Sequence, residues 1–189
     1  MGGWILLALV VLAGLWAVFA YNGLVRHKNI VAEAWSGIDA QLKRRADLIP
    51  NLVETVKGYA AHERQTFDEL ARLRSVGQNQ GLGQGDVAQR AQTEQAITAA
   101  IGKVMAVAEA YPELKASANF QSLQKDLADT EDQIQLARRY YNGTVREYNV
   151  MIEQFPSNLV AGVGSFKPAP FFQIDNDADR AAPNVSFQT

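Results

Sequence analysis

The first 21 residues, MGGWILLALVVLAGLWAVFAY, carry no charged side chain. Beyond them the chain becomes a mosaic in which large apolar residues return every three or four positions. An apolar run of about 20 residues matches the hydrocarbon thickness of a bilayer when it forms one helix. Trp4 lies near one end, and Trp16 and Tyr21 near the other, where membrane interfaces favour aromatic rings. Residues 1–21 are therefore read as a transmembrane anchor in contact with the lipid bilayer. A cleaved signal peptide, with Val18 and Ala20 before the cut, fits less well. No Lys or Arg precedes the run, and the run is long for the apolar part of such a peptide.

After the anchor, helical spacing dominates and strand signals are scarce. One stripe runs Leu24, Val31, Trp35, Ile38, Leu42 and continues through Leu52, Val56, Tyr59, Phe67, Leu70 and Leu73. The stretch SVGQNQGLGQG (75–85) interrupts it with Gly and Gln, and is expected to form a loop rather than a stable helix. Asp86 is placed to cap a further helix, with Val87, Ile97, Ile101, Val104 and Met105 inward, ending before Pro112. The last helix has the clearest pattern. Phe120, Leu127, Ile134, Tyr141, Tyr148 and Phe155 recur every seventh residue, with Leu123, Thr130, Ala137, Thr144 and Met151 between them. This is the seam of a bundle or coiled coil, with its aromatic residues read as core packing rather than a binding box. Asn119 is the expected cap and Pro156 the stop. The remainder, 157–189, holds several prolines and isolated apolar residues (Phe166, Phe171, Phe172, Val185, Phe187). It is read as an extended or partly disordered tail, with docking along the bundle or on a partner as the alternative.

The stretch KRRADLIPNLVETV (43–56) decides how the first stripe folds. Lys43, Arg44 and Arg45 suit the last turn of a helix, Pro50 suits the first position of a new one, and Ile49 before the proline is pushed away from the helical region. These signals predict helices at about 22–47, 50–74, 86–110 and 119–155, the first two about 37 Å long. The expected fold is thus all-α: an N-terminal transmembrane helix, then an antiparallel, up-and-down four-helix bundle over 22–156, then the tail. One fact resists the break. The apolar phase passes from Leu24 to Leu73 without a slip, so a single long helix kinked at Pro50 stays open as the alternative.

Composition narrows the function classes. Of 189 residues, 48% are hydrophobic and 20% charged, which fits a packed domain. The formal net charge of −2 argues against nucleic acid as a partner. With no cysteine, disulfides, thiol catalysis and thiolate metal sites are excluded. Arg26 and Lys28 follow the anchor and no basic residue precedes it, which predicts an external N-terminus and a cytoplasmic domain.

Candidate chemistry fails at specific positions. His62-Glu63 opens like a zinc-protease motif, but Thr66 stands where the second His is needed. His27 belongs to the basic flank. A di-iron bundle needs Glu three residues before each His, and Leu24 and Tyr59 hold those places. DNDAD (175–179) starts like a calcium loop, but Arg180 replaces the turn Gly and Ser186 the bidentate Glu. Glu63 lies on the apolar stripe and Asp39 borders it; for these carboxylates a buried ion pair with Arg45, or with Arg138 or Arg139 of a neighbouring helix, is expected instead of a metal. Asp47 is available to Lys43 or Arg44. No catalytic, cofactor-binding or metal-binding residue is assigned, and no cofactor.

The strings YNGLVRHKNIVAEAWSGIDAQLKRRADLIPNLVETVKGYAAHE (21–63), NFQSLQKDLADTEDQIQLARRYYNGTVREYNVMIEQFPSNLVAG (119–162) and PNVSF (183–187) resemble the LemA family. The resemblance implies a bacterial membrane protein with one N-terminal span, a short external N-terminus and a four-helical domain. It supplies no catalytic residues. A shorter echo lies inside the chain: YNGLVRHKN (21–29) against YNGTVREYN (141–149). In an up-and-down bundle these segments become neighbours near the membrane, with Gly23 and Gly143 permitting close approach. The function expected is that of a membrane-anchored scaffold or interaction protein of the inner membrane, without catalysis, acting through protein partners or a homo-oligomer. The alternatives are an accessory subunit of a membrane enzyme such as a protease, and a small-ligand sensor.

Overall fold

The computed structural model describes residues 2–80 and 87–173. Among them the fold is all-helical: α1 (Gly2–Lys57), α2 (Arg64–Asn79), α3 (Val87–Glu109), α4 (Pro112–Lys115), α5 (Ala118–Glu153) and α6 (Ser157–Val163). Helix α1 is 56 residues long, about 84 Å at 1.5 Å per residue. Its first third is apolar and exposed on nearly every side, and is long and apolar enough to cross a membrane. From Leu24 onward it turns amphipathic and buries Leu24, Val31, Trp35, Ile38, Leu42, Ile49, Leu52 and Val56.

The expected break between 47 and 50 does not occur: α1 continues uninterrupted through Pro50, and Ile49 is helical and buried. Two causes are visible. Leu42, Arg45, Ile49, Leu52 and Val56 keep one face continuous at spacings of three and four, so ending the helix would split the core. The Ala46 carbonyl, which loses its donor because Pro50 has no N–H, accepts instead from Arg74 Nε of α2 at 2.7 Å. Lys43 and Arg44 therefore face solvent mid-helix rather than completing a last turn. The chain reverses at 58–63, where the amides of Tyr59 and Ala60 both donate to the Val56 carbonyl (3.0 and 2.9 Å). Tyr59 leaves the stripe here and is exposed; Ala60 enters the core in its place.

Helix α5 lies antiparallel to α1. Met151 stands against Gly23, Tyr141 against Trp35, and Glu131 against Arg45. The seven-residue pattern is buried from Phe120 through Tyr148, but Phe155 lies beyond the end of α5 and is exposed. Ser117, not Asn119, precedes α5. Helices α2 and α3 form a second antiparallel pair, with Glu69 beside Lys103 and Gly77 beside Glu94 and Ile97. The core has two parts. The part farther from the apolar third of α1 gathers Ile49, Leu52, Val56, Phe67, Leu70, Val104, Leu114 and Phe120. The nearer part gathers Leu24, Trp35, Ile38, Tyr141, Tyr148 and Phe172.

Two loop expectations change. Helix α2 continues through Ser75–Asn79 into the Gly/Gln stretch, because Gly77 has no Cβ to strike Ile97 and Arg90 supplies donors to the carbonyls at its end. The tail begins with a helix, α6, and residues 166–172 then dock on α1 and α5. The Asp86 cap, the acidic DNDAD stretch, Val185 and Phe187 lie outside the described residues.

Candidate functional site

Arg45 occupies a position of the α1 stripe where the 3–4 spacing calls for an apolar residue. It is 2% exposed and lies between the two halves of the core. An isolated charge there would be prohibitive, so its guanidinium must be fully matched. Nη1 donates to Thr98 Oγ1 and to Glu131 Oε2, each at 2.7 Å. Nη2 donates to Glu94 Oε2 at 2.5 Å and to the Glu94 carbonyl at 3.2 Å. Thr98 donates its own hydroxyl to the same carbonyl at 3.1 Å.

The other carboxylate oxygen of Glu94 lies 2.9 Å from Arg90 Nε, one helical turn away. The angle is too oblique for a hydrogen bond, so this contact is electrostatic. Arg90 also lies 3.8 Å from Asp39 Oδ1 of α1 and donates to the carbonyls of Gly77 and Gln80 at the end of α2. One cluster thus ties together α1, α2, α3 and α5. A cleft of about 290 Å³ opens beside it, lined by Asp39, Arg45, Arg74, Arg90, Glu94 and Ile97. The guanidinium groups of that cleft are engaged by backbone carbonyls and carboxylates.

The residues singled out from sequence are dispersed. His62 and Glu63 are exposed on the reversal, and the expected Glu63–Arg45 pair is replaced by Arg45 with Glu94 and Glu131. His27 Nδ1 stands 2.9 Å from the Gly23 carbonyl within α1. Asp47, Lys43 and Arg44 are all exposed on α1. Among the described residues, no three His, Asp or Glu side chains come together to hold a metal.

A second polar constellation holds the tail. Asn142 and Asn149 stand one heptad apart on α5, and each grips one residue of the extended segment by both backbone groups. Asn149 donates to the Ala169 carbonyl (3.0 Å) and accepts from its amide (2.8 Å). Asn142 does the same to Phe172 (3.1 and 2.9 Å). Between them Tyr141 donates its hydroxyl to the Pro170 carbonyl at 2.9 Å. Burial pushes the Tyr141 phenol up to about 12 and raises that of Tyr148 as well. The Phe172 ring packs on Trp35, which also meets Tyr141. Phe166 stands edge-on to Tyr21. The signal was present in the sequence: the pair Tyr-Asn recurs after seven residues, at 141–142 and 148–149. The internal echo is half realised. Leu24 shares a core with Tyr141, Val145 and Tyr148, and Gly23 is close-packed, but Gly143 faces open space.

The sequence model of the LemA family matches residues 34–187. The magnetosome protein MamQ 2 of Paramagnetospirillum magneticum is 26% identical over 175 residues, covering 81% of this chain and 64% of its own length. MamQ of Magnetospirillum gryphiswaldense is 25% identical over 174 residues, covering 80% of this chain and 64% of its own. The protein LemA of Metamycoplasma hominis is 27% identical over 162 residues, with 82% and 73% covered. The chain thus spans just under two thirds of the length of these magnetosome relatives.

Proposed function

The chain belongs to the LemA family, and from that premise we propose that it is a membrane-anchored helical scaffold that holds partner proteins, or further copies of itself, at the inner membrane. The observation that carries this reading is α1. The apolar span continues into the domain as one helix with no linker, so the domain is held at a fixed height from the bilayer. A tethered enzyme that must reach dispersed substrates gains nothing from such rigidity; a platform does. The polar groups at Arg45 are matched to one another and serve to fix the helices in an antiparallel four-helix bundle. No catalysis is assigned to them. The basic flank at Arg26 and Lys28 supports a cytoplasmic domain and an external N-terminus.

The test is photo-crosslinking in the native membrane from exposed positions on the domain, such as Tyr59 and Val76, with the crosslinked proteins identified. Defined protein partners or a homo-oligomer are expected. Recovery of lipid alone from every exposed position would refute the scaffold. Labelling single cysteines introduced at Gly2 and Gly81 in intact cells reports the orientation, with only residue 2 expected to react. The cleft beside Arg45 supports a second reading, a small-ligand sensor. A metabolite screen by thermal shift separates it from the first, since a scaffold shows no stabilisation.

A further inference from the structure

Phe155, Leu159 and Val163 are 79%, 60% and 92% exposed. Leu159 and Val163 stand one turn apart on α6, and Phe155 lies just before its N-cap Pro156; the other side of α6 packs Val160 and Ala161 into the core nearer the apolar third of α1. The surrounding segment, QFPSNLVAGVGSF (154–166), contains no charged residue. Large apolar side chains clustered on an uncharged surface element call for a covering phase.

The position of α6 says which phase. The segment leaves α5 just after Met151, which stands against Gly23, and returns through Phe166, which stacks edge-on to Tyr21. Helix α6 also packs directly on α1. Within residues 2–20 of α1, Ala17 and Ala20 are half-covered and the others are exposed. The level is therefore that of Trp16 and Tyr21, the aromatic end of the span, where bilayer hydrocarbon gives way to headgroups.

The backbone is equipped for that level. Carbonyls at the end of α6 are satisfied internally: Gly164 donates to Val160, Ser165 to Gly162 and Phe166 to Ala161, at 2.9, 3.2 and 3.0 Å. A polar backbone left unmatched would be costly in a dry boundary. Ser165 adopts a left-handed backbone (φ 54°) to make this turn. Exposed charges border the element: Glu153 at the end of α5, Lys167 beyond the turn, and Arg26 and Lys28 on α1 just past Gly23; the three cations are placed to meet phosphate headgroups.

We propose that α6, through Leu159 and Val163 and together with Phe155 just before it, is an interfacial membrane element that lies in the headgroup–acyl boundary beside the anchor. The proposal rests on the anchored reading and adds a second, non-spanning contact with the same leaflet. Interfacial helices seat their apolar face about 5–10 Å into that boundary. The anchor then fixes the height of the domain, and α6 fixes its rotation about the anchor axis.

The chain has no cysteine, so the test uses single variants L12C, L136C, L159C and V163C of the full chain. Each is nitroxide-labelled and reconstituted in nanodiscs of zwitterionic and anionic phospholipid. Accessibility to oxygen, which concentrates in hydrocarbon, is compared with that to a water-soluble nickel chelate. Leu12 marks the span, and Leu136, exposed on α5 far from Tyr21, marks solvent. The expected result is an oxygen-to-nickel ratio at 159 and 163 several-fold above that at 136 and approaching that at 12. Labels at 159 and 163 that match 136, while 12 reads as lipid, overturn the proposal and leave the anchor intact. Labels at 159 shielded from both reagents, with dipolar broadening between copies, overturn it in favour of a second chain. A label at 12 that reads as water removes the anchored reading itself.

Discussion

Arg74 donates its Nε–H to the Ala46 carbonyl at 2.7 Å, and Ala46 is the residue whose acceptor Pro50 strands. A proline inside a helix costs about 3 kcal/mol, partly through the lost hydrogen bond. Here a cation from the neighbouring helix restores that bond, and α1 passes through its proline without ending.

This makes Pro50 and Arg74 energetically coupled. Arg74→Met keeps most of the stem and removes the donor, so it should cost about 1–2 kcal/mol. In a Pro50→Ala background the backbone regains an amide at this position, which takes over the Ala46 carbonyl. The same change at Arg74 should then cost about 1 kcal/mol less. Chemical denaturation followed by helical circular dichroism in micelles measures the cycle. Equal costs in both backgrounds would mean that Arg74 acts elsewhere.

Among the described residues, Arg45 should be the least replaceable cation. Arg45→Met leaves Glu94, nearly buried, without its closest counter-charge, and a broken buried pair costs about 3–5 kcal/mol. Removing both charges in Arg45→Met/Glu94→Leu should recover much of that loss, since the apolar pair joins two existing core clusters. Denaturation midpoints of the two variants decide the point; a double variant no better than the single would show that the network, not the pair, is indispensable.

Helical class, the long apolar N-terminal helix and the α5 seam were legible because each rests on a pattern that one sequence displays. From Phe120 to Tyr148 every seventh residue is buried. What misled was local grammar. Lys43, Arg44, Arg45 and Pro50 read as a stop and a start, yet the core-facing phase across them outweighed both once Arg74 supplied a donor. Local signals cannot reveal a partner 28 residues away. The same limit hid the charge cluster: Glu94 and Glu131 lie among ordinary surface-type residues of their helices, and only assembly sets them against Arg45. Gly77 failed as a breaker for a related reason, since its missing Cβ was needed by Ile97.

That reading of the glycines is directly testable. Gly102 is exposed in the middle of α3, and a Cβ there meets nothing within 4 Å. Gly102→Ala should therefore stabilise by about 0.5–1 kcal/mol through helix propensity alone. At Gly77 a Cβ would stand 3.1 Å from Ile97 Cδ1 and 3.4 Å from Glu94 Oε1. Gly77→Val should destabilise by about 1–3 kcal/mol by forcing α2 from α3. Thermal unfolding that moved both variants in the same direction would contradict this account.

The docked tail depends on the two asparagines. Asn142→Ala removes both hydrogen bonds to Phe172 and leaves its amide without that acceptor. A net loss of about 1–2 kcal/mol for the pair corresponds to roughly tenfold faster amide exchange at Phe172, at about 1.4 kcal/mol per decade. Asn149→Ala should act likewise at Ala169, and the double variant should expose the segment to protease while α5 stays protected. Exchange at Phe172 unchanged in Asn142→Ala would show that ring packing on Trp35 suffices to hold it.

Tyr141 gives the same docking a pH signature. Its phenol is buried and donates to the Pro170 carbonyl, so the folded chain favours the protonated form. In the unfolded chain the group loses its proton near its ordinary 10.0; in the folded chain it does so at about 12. The unfolded state therefore binds fewer protons above pH about 10, and stability must fall as pH rises. The contribution is whole below pH about 10 and is lost on approach to about 12. Tyr148, also raised by burial, adds to the same decline. Tyr141→Phe should be less stable at neutral pH by about 1 kcal/mol, through the lost hydrogen bond. It should also show a shallower alkaline loss, with the Tyr148 part remaining. Denaturation midpoints measured from pH 8 upward separate the two effects, and an alkaline slope identical in the variant would show that Tyr141 ionises without regard to folding.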